Sequence, residues 1–518
     1  MFSKLLEYLR KALKEMVDSP SNDVISNQDI DTISSCMQDA IDKWKKMYMD
    51  QAEWLSEDDG VYSMNLPSSI CQELTMYVLN EMESHIVAPG TLEDSNSHDL
   101  SKDNTISELK TRAEYLDNLY HKHLLDKLDE VLEKAMALGG VIIKPYISNR
   151  NIYFDFCYQG EFYPIAFDDD GNITDIAFLD SFVVGDKKYS KVERQMFDCN
   201  AHTITVTNKA YVCKNNPNSD VTELGKEIPL TVIEKWQNIA EETTVGNVER
   251  PLFGYYKVPT ANNVDIDSPL GVSVFSRAAN IIKRADIQFS RLDWEYEGGQ
   301  IAIDVDPTAI VSEESYYGNA LKMDNVKNRI YRKIDLGSDD TYKAFAPGLR
   351  DANYLNGLNM YLSRIEDLTG IARGTFSEAE AIAMTATEVK LLKQRTFATV
   401  TKHQTALQKA LECAIYAANA LASLYKKELG VPNGDYVTNT EWSDSILVDT
   451  YAELEQRLNL VDKKILSKSE VRSWYTGEDY KTAEEAIAKI SESEKSELMN
   501  DLFSQVPTNT LEQSGQED

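Results

Sequence analysis

Between residues 268 and 430 the apolar positions recur at alternating steps of three and four, the spacing of helices with a narrow buried seam. Phe275, Ala278, Ile282, Ala285, Phe289, Leu292 and Tyr296 form one such stripe, which would face a partner along roughly 40 Å of helix. Ser268 is placed as its N-cap with Pro269 at the first helical position, where a missing N–H costs nothing, and Gly298-Gly299 ends it. Ile301, Ile303 and Val305 then alternate with period two as a strand does, closed by Pro307. A second striped helix starts near Asp351, carries Leu355, Leu358, Leu362 and Ile365, and stops at Thr369-Gly370. The stretch from Ile371 to Met384, with Gly374, Glu378 and Glu380, is expected to be a loop. Thr385-Ala386-Thr387-Glu388 has the form of a capping box, and no Gly or Pro interrupts the chain until Gly430. That predicts a rod of roughly 65 Å, far above the usual helix length. Two striped helices around a strand-bearing insert, followed by a long rod, suggest a structural machine part rather than an enzyme.

Elsewhere the pattern changes twice. Ile25 to Val87 has helical spacing, interrupted around Gly60 to Pro67, with Trp44, Tyr48 and Trp54 as aromatic anchors, and a further helix runs from Ser107 to Leu138 and ends at Gly139-Gly140. Pro89 to Thr105, rich in Ser, Asn, Asp and Gly, is expected to be a loop. From Val141 to Val258 short β-type runs take over: Val141-Ile142-Ile143, Ile152-Tyr153-Phe154, Ile173 to Phe178 and Thr203 to Val206. A returning strand is expected from Trp442 to Asp449, and the tail after Ser491 is polar enough to fray. Met1 to Val17 places Lys4, Arg10, Lys11 and Lys14 among leucines, which predicts an amphipathic helix docked on protein or on a membrane surface, not a signal peptide, because no continuous apolar core follows the charges. The fold class expected from this pass is α+β, predominantly helical.

Composition narrows the function. In 518 residues, 85 acids face 53 bases for a formal charge of −32, which argues against a tight, sequence-independent grip on phosphates. Acidic balance also serves solubility alone. Six cysteines, at 36, 71, 157, 199, 213 and 413, include no CxxC pair, as in a reduced protein. The most apolar run, Cys413 to Tyr425, is too short to span a bilayer.

Groups that suggest chemistry dissolve on inspection. Asp168-Asp169-Asp170-Gly171-Asn172 resembles a calcium loop, but setting Gly171 at the sixth position puts Ala166 at the first and Ala177 at the twelfth, so a hairpin turn is expected instead. His121 and His123 are two apart on a helix and diverge by roughly 200°, so they do not share a metal. Asp293, Glu295 and Glu297 diverge for the same reason and are assigned structural or interface roles. There is no P-loop, GxSxG, HExxH or glycine-rich dinucleotide turn. No cofactor and no catalytic residue is expected, and any ATP-driven step would belong to a separate protein.

Short phrases recur in an order that resembles the portal proteins of tailed bacteriophages, in the group found in phages of Gram-positive bacteria. They are Ser268-Pro269-Leu270-Gly271-Val272-Ser273, Asp293-Trp294-Glu295, Thr369-Gly370-Ile371-Ala372-Arg373-Gly374-Thr375-Phe376-Ser377 and Thr385-Ala386-Thr387-Glu388-Val389. Upstream, Ser63-Met64-Asn65-Leu66-Pro67 with Glu81, and Pro251-Leu252-Phe253-Gly254-Tyr255-Tyr256-Lys257, fit the same group. No single phrase is diagnostic, but their order spans residues 25 to 490.

The resemblance implies a ring subunit, twelve to a ring, around a DNA channel. Residues 1–267 would hold the N-terminal helices and the sheet-bearing wing, 268–299 and 351–370 the stem pair, 300–350 the clip and 371–384 the tunnel loop. Residues 385–459 would supply a long wing helix and returning strand, 460–490 the crown, and 491–518 a polar tail. It implies transient, non-specific contact with double-stranded DNA, with Ile371, Arg373, Gly374, Glu378, Glu380, Lys390 and Lys393 as the tunnel-loop or DNA-facing candidates. Terminase and head-completion or tail connector proteins would meet the clip, and major capsid and scaffolding proteins the wing. Location would be the capsid portal vertex of the virion, after assembly in the host cytoplasm, without a membrane partner. A different phage head component, such as a minor capsid protein, and an acidic-site hydrolase are the alternatives.

Overall fold

A computed structural model describes residues 33–90 except 57, 59 and 81; 111–215 except 149; 224–299; 302–305; 331–333; 342–345; 348–378; 386–442; and 450–491. The expected helix at 1–17, the loop at 91–105 and the tail after 491 lie outside them. The chain divides into two units, Met1–Trp442 and Ser443–Asp518.

The first unit opens with α1 (Ser35–Tyr48), capped by the Ser34 hydroxyl accepting from the Met37 N–H, and α2 (Leu66–Leu79), which starts with Pro67 in its first turn. The helix expected to run on to Val87 ends at Leu79. Met82–Val87 is instead strand β1, antiparallel to β14 (Val437–Trp442), with His85 opposite Asn439. The returning strand therefore precedes Ser443, and residues 443–449 lie outside the described set. Next come α3 (Arg112–Tyr120), a π-turn (His121–Leu125) and α4 (Asp126–Leu138), closed by Gly139 at φ +98°.

Strands β2 (Gly140–Ser148) and β3 (Asn151–Tyr158) pair with β10 (Gly254–Lys257) in the order β10-β2-β3. A second sheet is an antiparallel meander of β4 (Phe162–Phe167), β5 (Ile173–Val184), β6 (Lys187–Asp198), β7 (Thr203–Lys214) and β8 (Lys226–Ile228), with β9 (Glu242–Gly246) also on β7. The Asp168–Asn172 segment is the turn between β4 and β5: Asp168 Oδ1 accepts from the N–H groups of Asp170 and Asn172, and Gly171 sits at φ +79°.

The expected dominance of helix does not hold. Helix takes 46% of the described residues and strand 25%, in sheets that are mainly antiparallel, so the fold is a mixed α+β one. The cause is visible in β6, whose KKYSKVERQMFD is too polar to announce a buried strand. Its charges are buried in pairs: Arg194 forks onto Asp175, while Glu193 receives Lys144 at 2.9 Å and Lys191 at 3.1 Å. Burial alone would push the Glu193 carboxyl up, but these two ammonium groups hold it well below the usual carboxylate range.

The striped helices and the rod follow. Helix α5 (Ala279–Gly298) begins ten residues later than expected. Residues 268–278 cannot start it, because their backbone is engaged elsewhere. The Gly271 carbonyl accepts from Gln159 Nε2 at 2.8 Å, the Val274 N–H donates to the Met136 carbonyl, and a Cβ at Gly271 would lie 2.0 Å from the Gly139 carbonyl oxygen. Three short strands follow: β11 (Ala302–Val305) lies between β12 (Tyr331–Lys333), parallel to it, and β13 (Tyr342–Phe345), antiparallel. Then come α6 (Asp351–Thr369) and α7 (Ala386–Leu424), the latter 39 residues and roughly 58 Å long.

Helix α7 packs on β10, β2, α2, α3 and β14. Its buried positions include Ala410, Ala414, Ala417, Ala418 and Ala422, small enough for close contact. The Gly254 backbone sits so near that a Cβ there would lie 2.0 Å from the Ala410 carbonyl oxygen. Ala417 also joins Ile204 of the meander and Val248 and Leu252, from the segment between β9 and β10, in one apolar cluster.

The second unit holds α8 (Thr450–Asp462), α9 (Lys468–Thr476), whose Ser467 and Glu470 form a capping box, and a helical stretch at 480–491. Among the described residues no helix is long and apolar enough to cross a membrane.

His403 gives the α7–β10 contact a pH signature. It is buried, its Nδ1 lies 2.7 Å from the Tyr256 hydroxyl, and burial lowers the imidazole from 6.5 to about 4. The unfolded chain therefore binds a proton that the folded chain refuses between these values, so stability is full above pH 6.5 and falls as pH drops toward 4. Lowering the pH from 6.5 to 5 should cost on the order of 2 kcal/mol through this residue. Urea unfolding of the wild type and His403→Gln checks it: the variant should lose that part of the pH slope, and identical slopes would contradict it.

Candidate functional site

Helices α5 and α6 run antiparallel, as their contacts show. Glu295, near the end of α5, meets Arg350 at the start of α6, while Gln288, two turns earlier, donates to the Tyr354 carbonyl and lies against Gly357. Arg350 forks onto Glu295 through Nε at 3.1 Å and Nη2 at 2.7 Å, and its N–H donates to the same carboxylate. Those hydrogen bonds hold the Glu295 carboxyl below its ordinary range. Asp293 and Glu297 face outward, so the three acids do not converge.

The seam divides in two. Ile282, Ala285, Leu292, Leu358, Leu362 and Ile365 are buried, and Phe275 and Ala278 are buried in the turns that precede α5 rather than on it. Phe289, Tyr296 and Leu355 stay substantially exposed, together with Trp294 at 66% and Met360 at 62%. A further face of α5 is polar and covered. Asp286 accepts from the Trp54 indole at 2.9 Å and the Met64 N–H at 3.0 Å, and Ser290 accepts from the Tyr62 N–H at 2.8 Å. Burial raises the Asp286 carboxyl, and those two donors offset part of the rise. The helix thus has one side fastened to residues 54–64, one against α6, and exposed apolar side chains on two others, Phe289 with Tyr296 on one and Trp294 on another.

At the far end of α6 the chain reverses around a buried carboxylate. Gly370 adopts φ +80° and Gly374 φ +92°, and Glu366, fully buried, receives the Phe376 N–H at 2.6 Å, the Ser377 N–H at 2.9 Å, the Ser377 hydroxyl at 2.7 Å and the Gly374 N–H at 3.3 Å. Residues 371–378 are therefore pinned to the helix, and Ile371 is buried rather than turned to a channel. The Glu378 N–H donates to Asn359 Oδ1 at 2.7 Å. Glu380 lies outside the described residues. Lys390 and Lys393 lie on α7, with side chains outside them.

Arg373 is exposed but engaged: its Nε and Nη2 reach Asp367 at 3.1 and 2.8 Å. Arg395 Nη1 reaches the same carboxylate at 3.1 Å and Arg364 at 3.8 Å, each with more than half its side chain exposed. The Arg373 fork, then the other guanidinium groups, hold the Asp367 carboxyl below its ordinary range. Three guanidinium groups around one carboxylate leave a local cationic excess on an acidic chain. Arg364 and Arg395 were not among the sequence candidates, because their grouping with Arg373 depends on how α6, the turn and α7 meet.

No known family profile matches the chain, and no curated protein matches it in sequence.

Glu366 gives a direct test of the turn. Glu366→Ala removes the acceptor of the Phe376 and Ser377 N–H groups and of the Ser377 hydroxyl and should cost roughly 2–4 kcal/mol by denaturant unfolding. Amide exchange at Phe376 and Ser377 should accelerate. Unaltered exchange there would contradict the anchored turn.

Proposed function

We propose that this chain is the subunit of a tailed-phage portal: a ring, twelve-fold by resemblance, set at one capsid vertex of the virion. It would conduct double-stranded DNA during packaging and ejection. The observation that carries this reading is the set of exposed apolar side chains on the helix pair: Phe289 and Tyr296 on one side of α5, Trp294 on another, and Leu355 and Met360 on α6. Exposed aromatics on two sides of one helix favour a neighbouring copy on each side, and a head-to-tail contact between identical copies closes into a ring. The order of motif phrases supports the particular ring, since it follows the helix pair, the turn and the long rod in sequence.

The arginine cluster supports a channel role for the end of the pair. A low-adhesion guide needs few phosphate contacts, and three partly neutralised guanidinium groups on an otherwise acidic chain provide a weak, salt-sensitive one. By resemblance the 302–345 end of the pair would meet terminase during packaging and head-completion or tail connector proteins afterwards, and the sheet-bearing body would meet major capsid and scaffolding proteins.

Two measurements check this. Size-exclusion chromatography with light scattering should give a ring-sized particle for the full chain. The double variant Phe289→Asp, Tyr296→Asp should give smaller species with native circular dichroism, because neither side chain belongs to the intrachain core. A wild-type monomer, or a variant of unchanged size, would sink the assembly reading. In the second, the ring should bind duplex DNA weakly, with affinity falling as salt rises, and Arg364→Gln with Arg373→Gln should weaken it further. Sub-micromolar, sequence-specific binding at physiological salt would favour a DNA-recognition protein instead.

A further inference from the structure

Far along the sequence from the helix pair, β1 and α3 bring together two histidines and a carboxylate. His85 Nδ1 and His121 Nε2 stand 3.3 Å apart, and Asp117 Oδ1 lies 3.5 Å from the His121 nitrogen and 3.9 Å from the His85 nitrogen. All three atoms thus surround one point. Asp117 and His121 are four apart and share a face of the helix, and His85 arrives from the strand.

The geometry points to a zinc-class divalent metal site formed by His85, Asp117 and His121. Ligand atoms bonded at ~2.0–2.1 Å in a tetrahedron stand about 3.3–3.4 Å apart. An octahedral face at similar bond lengths would bring them to about 3.0 Å. The triangle here matches the tetrahedral spacing on two edges and is slightly wider on the third, so contraction of the His85 edge completes it. Two imidazoles with one carboxylate suit zinc over calcium or magnesium, which take oxygen ligands.

Two features beyond the triangle favour a ligand role. The helix departs from α geometry at His121, where the π-turn begins, and such one-turn expansions are frequent at functional sites because they re-aim side chains. Asp117, almost fully buried, also accepts the Ile86 N–H at 2.8 Å. That bond fixes the carboxylate beside the residue following His85, which is how outer hydrogen bonds orient metal ligands. Both imidazoles keep about a quarter of their side-chain surface open, enough for an ion to enter and for a water to take the fourth position. Bound metal would clamp β1, and through it β14, to α3.

The test uses the full chain, stripped with a chelator and titrated with Zn²⁺ and with Co²⁺ as a spectroscopic reporter. One equivalent per chain should bind. Cobalt should give the intense visible bands of a four-coordinate site without thiolate charge transfer, which separates this site from the six free cysteines. Thermal unfolding should shift upward with zinc. His85→Gln and His121→Gln, each with native circular dichroism, should lose more than the ~10–100-fold in affinity that removal of an outer hydrogen-bond partner costs. Absence of stoichiometric binding, thiolate charge transfer, or unchanged affinity in both variants would overturn the assignment. If one variant fails to fold, the other together with the cobalt spectrum still decides.

Discussion

The close approach of α7 to the β10 backbone is the contact on which the rest depends. It exists because Gly254 presents no side chain and because the facing turn of α7 offers alanines. With the two backbones this near, one rod can touch both N-terminal helix layers, the β10-β2-β3 sheet, the β14 edge and the meander at Ala417. Its N-terminal portion carries Arg395 to Asp367 and Thr399 to Gly370. The same helix that organises the body therefore fixes where the α5–α6 pair ends. A side chain at position 254 would open the layer and displace that end.

Buried charge supplies the specificity that alanine contacts lack. Glu366 fixes a turn, Asp286 fastens α5 to residues 54–64, and the Arg194–Asp175 and Lys144–Glu193–Lys191 groups register the meander. Such groups cost desolvation and are tolerated only with complete hydrogen bonding. Asp286 and Lys144–Glu193 join segments distant in sequence, while Glu366 fixes a local turn, and each specifies one arrangement among many apolar packings. The exposed side chains of Phe289, Trp294, Leu355 and Met360 on α5 and α6 have the opposite character, apolar throughout, which suits surfaces shared with other copies.

Much of the architecture was legible in the sequence. Seam spacing located α6 and most of α5, Gly139 and Gly370 marked helix ends, and the absence of Gly and Pro up to Gly430 announced α7. Local pattern failed wherever tertiary contacts decided the outcome. Residues 268–278 carry helical spacing but give their backbone groups to Gln159 and Met136. The strand β6 hides its burial behind charged side chains that pair out of sight of local pattern, Arg194 with Asp175 on β5 and Glu193 with Lys144 on β2. His121 was weighed against His123, two residues away, whereas its true neighbour is His85, which only the fold supplies. Arg373 was legible as a charge, but Asp367, Arg364 and Arg395 around it were not.

The central claim is that the exposed apolar side chains of the helix pair form the interfaces between identical subunits around a DNA-sized opening. Single-particle cryo-electron microscopy of the full-length protein tests it most directly. The account predicts a closed ring in which Phe289, Trp294, Tyr296 and Met360 of each copy lie against the next and the Arg364–Arg373–Arg395 cluster faces the central opening. Discrete monomers, or a ring with those side chains turned to solvent, would contradict it.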